Sequence, residues 1–140
     1  MAKTRLKIKG RREEGTFVLI PHCVLDSPDY INLSWKSKVL LIDLARQFRG
    51  KNNGDLSAAM GVLRKRNWKR GATVCAAIKE LIDANLILKT REGQFLNPGG
   101  RCALYAITWQ PIDDCYGKEL EVKATIKAPR SFSKNKMKQH

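Results

Sequence analysis

The spacing of apolar residues changes once along this chain, and that change limits the folds it can adopt. Up to about Ala84, apolar residues recur every three or four positions, as they do on one face of a helix. The two apolar runs that follow, residues 86–91 and 101–109, have the composition of β-strands. Helices that precede a pair of strands predict an α+β fold.

The predicted helices share an apolar face and cover residues 35–49, a short stretch up to about residue 66, and residues 72–84. The hydroxyl of Ser34 is placed to cap the first helix, and Gly50 is placed to end it. Asp55 or Ser57 is expected to cap the second helix. We therefore predict three helices, the second of them short.

The strand pair and the helices together indicate one domain. Residues 92–100 contain three glycines and one proline, which is typical of a hairpin tip. The order helix, short helix, turn, longer helix and hairpin is that of a winged helix-turn-helix. We predict this domain at residues 16–115, between a flexible basic arm at 1–15 and a flexible basic tail at 116–140. Residues 17–25 are apolar enough to lie on its core as a strand or a helical turn.

The net charge of +14 indicates a polyanion as partner. Six basic and two acidic residues lie in 1–15, fourteen and nine in 16–115, and seven and two in 116–140. The positive excess is therefore spread over the predicted tails and the domain. Basic tails that only improve solubility are the alternative, although acidic or mixed charges serve that purpose better.

Other classes of protein find little support in the sequence. No window is apolar enough to span a membrane, and the first residues lack the apolar stretch of a signal peptide, so we expect a cytoplasmic protein. The four cysteines are far apart and form no Cys-x-x-Cys pair, which favours reduced thiols over zinc ligands or disulfides. There is no phosphate-binding Gly-Lys motif, and neither histidine has an evident nucleophile partner. We expect no enzymatic activity, no cofactor and no metal.

Several short motifs lie along the chain: Asn53-Gly54-Asp55-Leu56, Asn67-Trp68, Thr73, Glu80-Leu81-Ile82, Asn85-Leu86-Ile87, Thr90-Arg91 and Leu104-Tyr105-Ala106-Ile107-Thr108-Trp109. These motifs resemble those of a group of bacterial and phage-associated winged helix-turn-helix proteins. More loosely, they resemble the DNA-binding domains of phage and plasmid replication initiators and of small bacterial repressors. The resemblance covers about residues 17–123 and implies a fold more than a function.

This sequence departs from the common pattern of that group, Gly-Trp-x-Ser-x-x-Thr-Leu, at the start of the third helix. Asn67 replaces the glycine, which is a mild change because asparagine tolerates a left-handed backbone. Arg70 replaces the capping serine with a cation. Cys75 and Ala76 stand where such proteins often have an aromatic residue or arginine. Short side chains at these two positions reach less far into a DNA groove.

Five basic residues cluster between the second and third predicted helices, and we predict that they contact DNA phosphates. At a helix N-terminus, cations are unfavourable unless a polyanion compensates them. The free N–H groups of the third helix can add to the grip. A solvated basic face is the alternative. The cluster consists of Arg64, Lys65, Arg66, Lys69 and Arg70.

Candidate base-reading residues lie on the third helix and on the predicted wing. Arg70 is the best of them, because a guanidinium pairs bidentately with guanine. Thr73 is a second candidate or an internal helix cap, and Lys79 is a third or a partner of Asp83. On the wing, Arg91 and Arg101 flank the glycine-rich tip and are predicted to contact the minor groove or to be ordinary surface charges.

These residues predict a DNA-binding protein, with double-stranded DNA as partner and a phage- or plasmid-type role in transcription or replication. A homodimer and a contact with a replication or transcription protein are further partners to consider, and a membrane is not. The alternatives are a protein-interaction module and an RNA-binding protein. A stacking platform for single strands is less favoured, because the spacing of most aromatic residues places them in the core. Those residues are Trp35, Trp68, Phe95, Tyr105 and Trp109.

Overall fold

The computed structural model describes residues 15–94 and 100–132, which form a mixed helix and sheet fold. Its elements are α1 (His22–Leu25), α2 (Pro28–Ile31), α3 (Trp35–Ala45), β1 (Leu56–Ser57), α4 (Met60–Leu63), a 3-10 turn (Arg64–Arg66), α5 (Gly71–Asp83), β2 (Ile87–Arg91) and β3 (Leu104–Ile107). The predicted α+β class is confirmed. Residues 1–14 of the predicted arm, 95–99 of the hairpin tip and 133–140 of the predicted tail lie outside the described residues.

The core lies between α3, α5 and the sheet. Leu40, Leu41 and Leu44 of α3 are fully buried, and Val74 and Leu81 of α5 pack in the same cluster. These residues recur at helical spacing, so each helix buries one face. The apolar spacing of residues 72–84 predicts that Val74, Ala77, Ile78 and Leu81 face inward, and their burial confirms it.

The start of α3 was predicted correctly, but its end was not. The hydroxyl of Ser34 accepts a hydrogen bond from the Ser37 N–H at 3.4 Å and caps the helix as expected. The helix ends at Ala45, five residues before Gly50. The side chain of Gln47 exchanges hydrogen bonds with the backbone of Ser57, at 2.8 and 2.9 Å, and so fixes a turn at this point.

The sheet has three antiparallel strands in the order β1-β3-β2. The pairing of β2 with β3 confirms the two predicted strands, although both are shorter than the apolar runs. β1 was not predicted, because its residues were assigned to the cap of the second helix. That cap is wrong: α4 begins after Ala59 and has no side-chain cap, and Leu56 pairs with Tyr105 of β3.

A buried asparagine explains the position of β1. Asn53 is fully buried, and its Nδ2 donates to the carbonyls of Ile107, Gln110 and Pro111 at 2.9 to 3.1 Å. Its Oδ1 accepts from the Ile107 N–H at 2.8 Å. This side chain joins the loop before β1 to the end of β3, so that Leu56 is aligned along β3.

Residues 111–132, here named the C-terminal segment, lie along the domain and do not form the predicted flexible tail. Backbone hydrogen bonds join Glu121 to Thr90, Thr125 to Ile112 and Arg130 to Thr108, at 2.7 to 3.0 Å. Phe132 is buried in the core. The expectation of a tail from residue 116 is therefore corrected for residues 116–132, because sheet carbonyls and a core site hold this part of the chain.

The residues before α3 only partly cover the core. Ser27 caps α2 with its side chain, and Pro28 occupies the first helical position. Val24 is fully buried, in agreement with the prediction for residues 17–25. Phe17 and Leu19 are 76% and 69% exposed, so the prediction that this whole run lies on the core is wrong at its start.

Candidate nucleic-acid interface

A left-handed residue positions the turn between α4 and α5. Asn67 has φ +70° and ψ +21°, as its tolerance of that conformation predicted. The next residue, Trp68, packs against the core and donates its indole N–H to Asp43 Oδ2 at 2.7 Å. Asp43 is only 7% exposed, so its carboxylate ties α3 to the turn. The direction in which α5 leaves the turn is thereby fixed.

The basic cluster between α4 and α5, here named the basic corner, consists of Arg64, Lys65, Arg66, Lys69 and Arg70. All five residues are exposed. Arg66 forms an ion pair with Asp43, with 3.2 Å between Nε and Oδ1. Among residues 15–94 and 100–132, the other four have no ion-pair partner. Their positive charges therefore face solvent.

The first turn of α5 continues the basic corner. Arg70 is the N-cap in an extended conformation, no side chain caps the helix, and the first turn has no acidic residue. The first N–H groups of the helix therefore lack the usual side-chain acceptor. An anion bound here would be stabilised by these N–H groups, by the helix dipole and by the corner cations.

The outward face of α5 is formed mainly by small residues. Ala72, Cys75 and Ala76 are exposed, as expected, and Lys79 is the one long side chain between them and Asp83. Within the described part of the chain Lys79 forms no ion pair, so the suggested pair with Asp83 is absent. The backbone of α5 can therefore approach a flat or grooved partner closely.

Thr73 lies at the edge of this face and is half-buried. It lines a shallow groove between α3 and α5 together with Lys36 and Glu80. Thr73 is the third residue of α5, whose N-cap is Arg70. Sequence reasoning missed Lys36, because it lies far from the corner in the chain, and no local pattern signals that α3 runs beside α5.

The two arginines of the predicted wing, Arg91 and Arg101, are bound within the protein. Arg91 donates from Nε and Nη2 to the Cys102 carbonyl, at 3.0 and 2.7 Å, and from Nη1 to the Lys118 carbonyl at 2.9 Å. Arg101 pairs with Glu119 and Glu121, each at 3.2 Å, and its side chain is 24% exposed. These contacts favour a structural role for both residues over the predicted contact with DNA.

The aromatic residues are distributed mainly as expected. Tyr105 and Trp109 are buried, at 7% and 9% exposure, and burial raises the pKa of the Tyr105 hydroxyl. Trp68 is half-buried against the core. Trp35 is the exception, at 70% exposure, and Phe95 lies outside the described residues. The buried aromatic residues leave no continuous stacking surface among the described residues.

Two further features bear on the kind of site. In the described ranges, no group of three or more His, Cys, Asp or Glu side chains is arranged to hold a metal ion. None of the helices described here is long and apolar enough to cross a membrane. The four cysteines are free thiols. The pKa of the Cys115 thiol is raised mainly by burial, and also by the negative charges of Asp55 and Asp113.

Comparison with known proteins adds no relative to this description. No family model matches the chain, and no curated protein and no solved structure is significantly similar to it.

Proposed function

We propose that this chain is a winged helix-turn-helix protein that binds double-stranded DNA, with α5 in the major groove and the basic corner on the phosphates. The observation that carries the proposal is the group of four exposed cations without ion-pair partners at the N-terminal end of α5. These are Arg64, Lys65, Lys69 and Arg70. Cations concentrated at a helix N-terminus are repelled by the positive end of the helix dipole, and bound phosphates offset that repulsion.

The outward face of α5 suits a helix that enters a groove. Ala72, Cys75 and Ala76 are short, so the helix can lie deep between the phosphate strands. In this proposal Arg70 pairs with a guanine, and the exposed Lys79 and the half-buried Thr73 are the remaining polar groups. With few long side chains for reading bases, affinity should depend mainly on phosphates and only weakly on sequence.

Two features of the chain and one property of RNA make the proposed partner and role more specific. The net charge of +14 favours association with any polyanion. The motif resemblance favours a phage- or plasmid-type regulator of transcription or replication. A-form RNA has a major groove too narrow for α5, so a duplex RNA of the same length should bind more weakly than DNA.

Fluorescence anisotropy with a labelled duplex of about 20 base pairs, over a series of salt concentrations, tests the proposal. The test variant is Arg64→Gln/Lys65→Gln/Lys69→Gln/Arg70→Gln. Affinity falls with salt, and each lost phosphate contact makes the slope of log K against log salt less steep by about 0.9. The magnitude of the slope should therefore be smaller in the variant by about 3 to 4. Affinity at physiological salt should fall on the order of 100-fold.

A matched variant controls for net charge. Arg49, Lys51, Lys123 and Lys127 are exposed and form no ion pair in the described parts of the chain. Their replacement by glutamine also removes four positive charges, but none of them belongs to the basic corner. Equal losses in the two variants, or a salt-independent affinity for DNA, would contradict the proposal.

A further inference from the structure

The outer face of α3 carries an apolar stripe that faces solvent. Trp35, Val39 and Ile42 are separated by four and three residues, so they lie along one side of the helix. Their exposed fractions are 70%, 43% and 44%. The opposite side of α3 holds its fully buried leucines, so the stripe contributes nothing to the core. Contiguous exposed apolar surface of this kind marks a site of interaction.

The stripe does not suit a nucleic acid. A duplex presents charged phosphates and polar base edges, and the three side chains offer no hydrogen-bond donor other than the indole N–H. Its chemistry is that of a protein surface, in which apolar side chains pack against a matching apolar face. The stripe therefore needs an occupant different from the one proposed for the basic corner.

The charges around the stripe select the kind of protein. Lys36, Lys38 and Arg46 flank it, and the Lys36 ammonium lies 5.6 Å from the centre of the Trp35 ring. The one acidic residue of α3, Asp43, is buried and bound to Arg66 and Trp68. The rim of the stripe is thus cationic, with no exposed acid on the same helix.

This rim disfavours a second copy of the chain. Two α3 helices packed through their stripes would bring six cations together without any acid from α3 to pair with them. A partner with acidic residues beside its apolar face gains attraction instead of repulsion. A helix fits best, because the stripe runs along one side of an 11-residue helix.

We propose that the outer face of α3 is the docking surface for an acidic amphipathic helix of a partner protein. The apolar side of that helix packs on Trp35, Val39 and Ile42, and its carboxylates pair with the cations of the rim. The proposal is independent of DNA binding, because the stripe and the basic corner share no residue.

Three synthetic peptides of about 18 residues, long enough to span α3, provide the probe. The first has a leucine face and glutamates elsewhere. The second has the same composition in a scrambled order, and the third has glutamines in place of the glutamates. The fluorescence of Trp35 reports binding, because burial shifts indole emission to shorter wavelength. Trp35→Phe identifies the signal of this residue.

The acidic amphipathic peptide should bind about tenfold more tightly than either of the other two. Val39→Ser/Ile42→Ser should weaken that binding about tenfold, since both side chains lose their packing on the peptide. Val62→Ser is the matched control, because Val62 is 39% exposed and lies on α4, outside the stripe. Thermal unfolding of each variant establishes that it remains folded.

Four results would overturn the proposal. The first is equal binding of the scrambled and amphipathic acidic peptides, which indicates charge attraction alone. The second is unchanged binding by Val39→Ser/Ile42→Ser, and the third is the absence of binding by any of the peptides. The fourth is a dimer in analytical ultracentrifugation that this variant dissociates, which assigns the stripe to self-association. DNA affinity of the stripe variant is expected to stay at the wild-type value, so this proposal and that of DNA binding fail separately.

Discussion

Two regions contain arginines that are predicted from the sequence to contact DNA: the basic corner, and the contact between the sheet and the C-terminal segment. The partners of these arginines differ between the two regions. Arg64 and Arg70 face solvent without ion-pair partners among the described residues, whereas Arg91 and Arg101 are bound by carbonyls and carboxylates. The charge of a side chain is fixed by the sequence, but its availability depends on which acceptors the fold brings to it. Of these four arginines, only Arg64 and Arg70 are therefore free of partners within residues 15–94 and 100–132.

The acids that the fold brings to each region account for part of the difference. At the corner, Asp43 binds Arg66, and its carboxylate also accepts the indole N–H of Trp68. Beside β2 and β3, the C-terminal segment brings Glu119 and Glu121 to Arg101. The corner is consistent with a binding surface, and the contact with the C-terminal segment is part of the architecture.

The largest effect is expected for Asn53→Ala, at the contact between the sheet and the C-terminal segment. The substitution removes four hydrogen bonds of the buried side chain and leaves the Ile107 N–H without an acceptor. The free energy of unfolding should fall by about 3 to 5 kcal/mol, as measured by urea denaturation.

Asn67, which lies in the chain between Arg66 and Lys69 of the basic corner, provides the contrast. Asn67 has a positive φ, which glycine adopts without strain, so Asn67→Gly should change the free energy of unfolding by less than about 1 kcal/mol. Similar losses in Asn53→Ala and Asn67→Gly would remove the distinction between the two regions.

Single arginine and lysine variants separate the two regions by function. Lys69→Gln should weaken DNA binding about fivefold in the anisotropy assay, because it removes one phosphate contact. Arg101→Gln should change DNA affinity less than about twofold but lower the free energy of unfolding by about 1 kcal/mol, because its ion pairs are partly exposed. A large loss of DNA affinity in Arg101→Gln with unchanged stability would indicate instead that Arg101 contacts DNA.

The sequence predicted those elements whose signals are local. The Ser34 cap, the left-handed Asn67 and the inward face of α5 each follow from a few neighbouring residues. The end of α3 and the strand β1 were missed, because both depend on contacts with distant residues. Gln47 bonds to Ser57, and Asn53 bonds to β3, and no local pattern reveals either contact.

The same limit applies to the candidate site. The five corner residues lie within seven positions of the chain, so their clustering could be predicted from the sequence. Lys118, Glu119 and Glu121, which bind Arg91 or Arg101, lie in the polar stretch predicted as a tail. Lys36 joins the groove from another helix. Charge composition alone cannot separate a cation bound within the protein from one that is free.

Cysteine alkylation offers a smaller but more local measurement. Cys75 is exposed on the outward face of α5, so bound duplex DNA should slow its reaction with iodoacetamide about fivefold. Cys115 should react slowest in the free protein, because burial and nearby carboxylates raise its pKa and disfavour the thiolate. Mass spectrometry of the labelled peptides measures both rates. Unprotected Cys75 at saturating DNA would exclude α5 from the groove.

The smallest effect concerns the hydrogen bonds that join α5 to the start of α3. Glu80 accepts hydrogen bonds from Ser34 N–H and Oγ–H, at 3.1 and 2.8 Å, and its pKa is lowered below 4.5 by hydrogen bonds from Ser37 and Ser34. A lowered pKa in the folded state means that this contribution is fully present above pH 4.5 and is lost as the pH falls through the folded-state pKa. Glu80→Gln should therefore be less stable than wild type near neutral pH and should lose less stability on acidification. Urea denaturation from about pH 6 to about pH 3 measures the two curves. Curves that stay parallel would show that the Glu80 charge does not hold α3 against α5, and the groove beside Thr73 would then depend on packing alone.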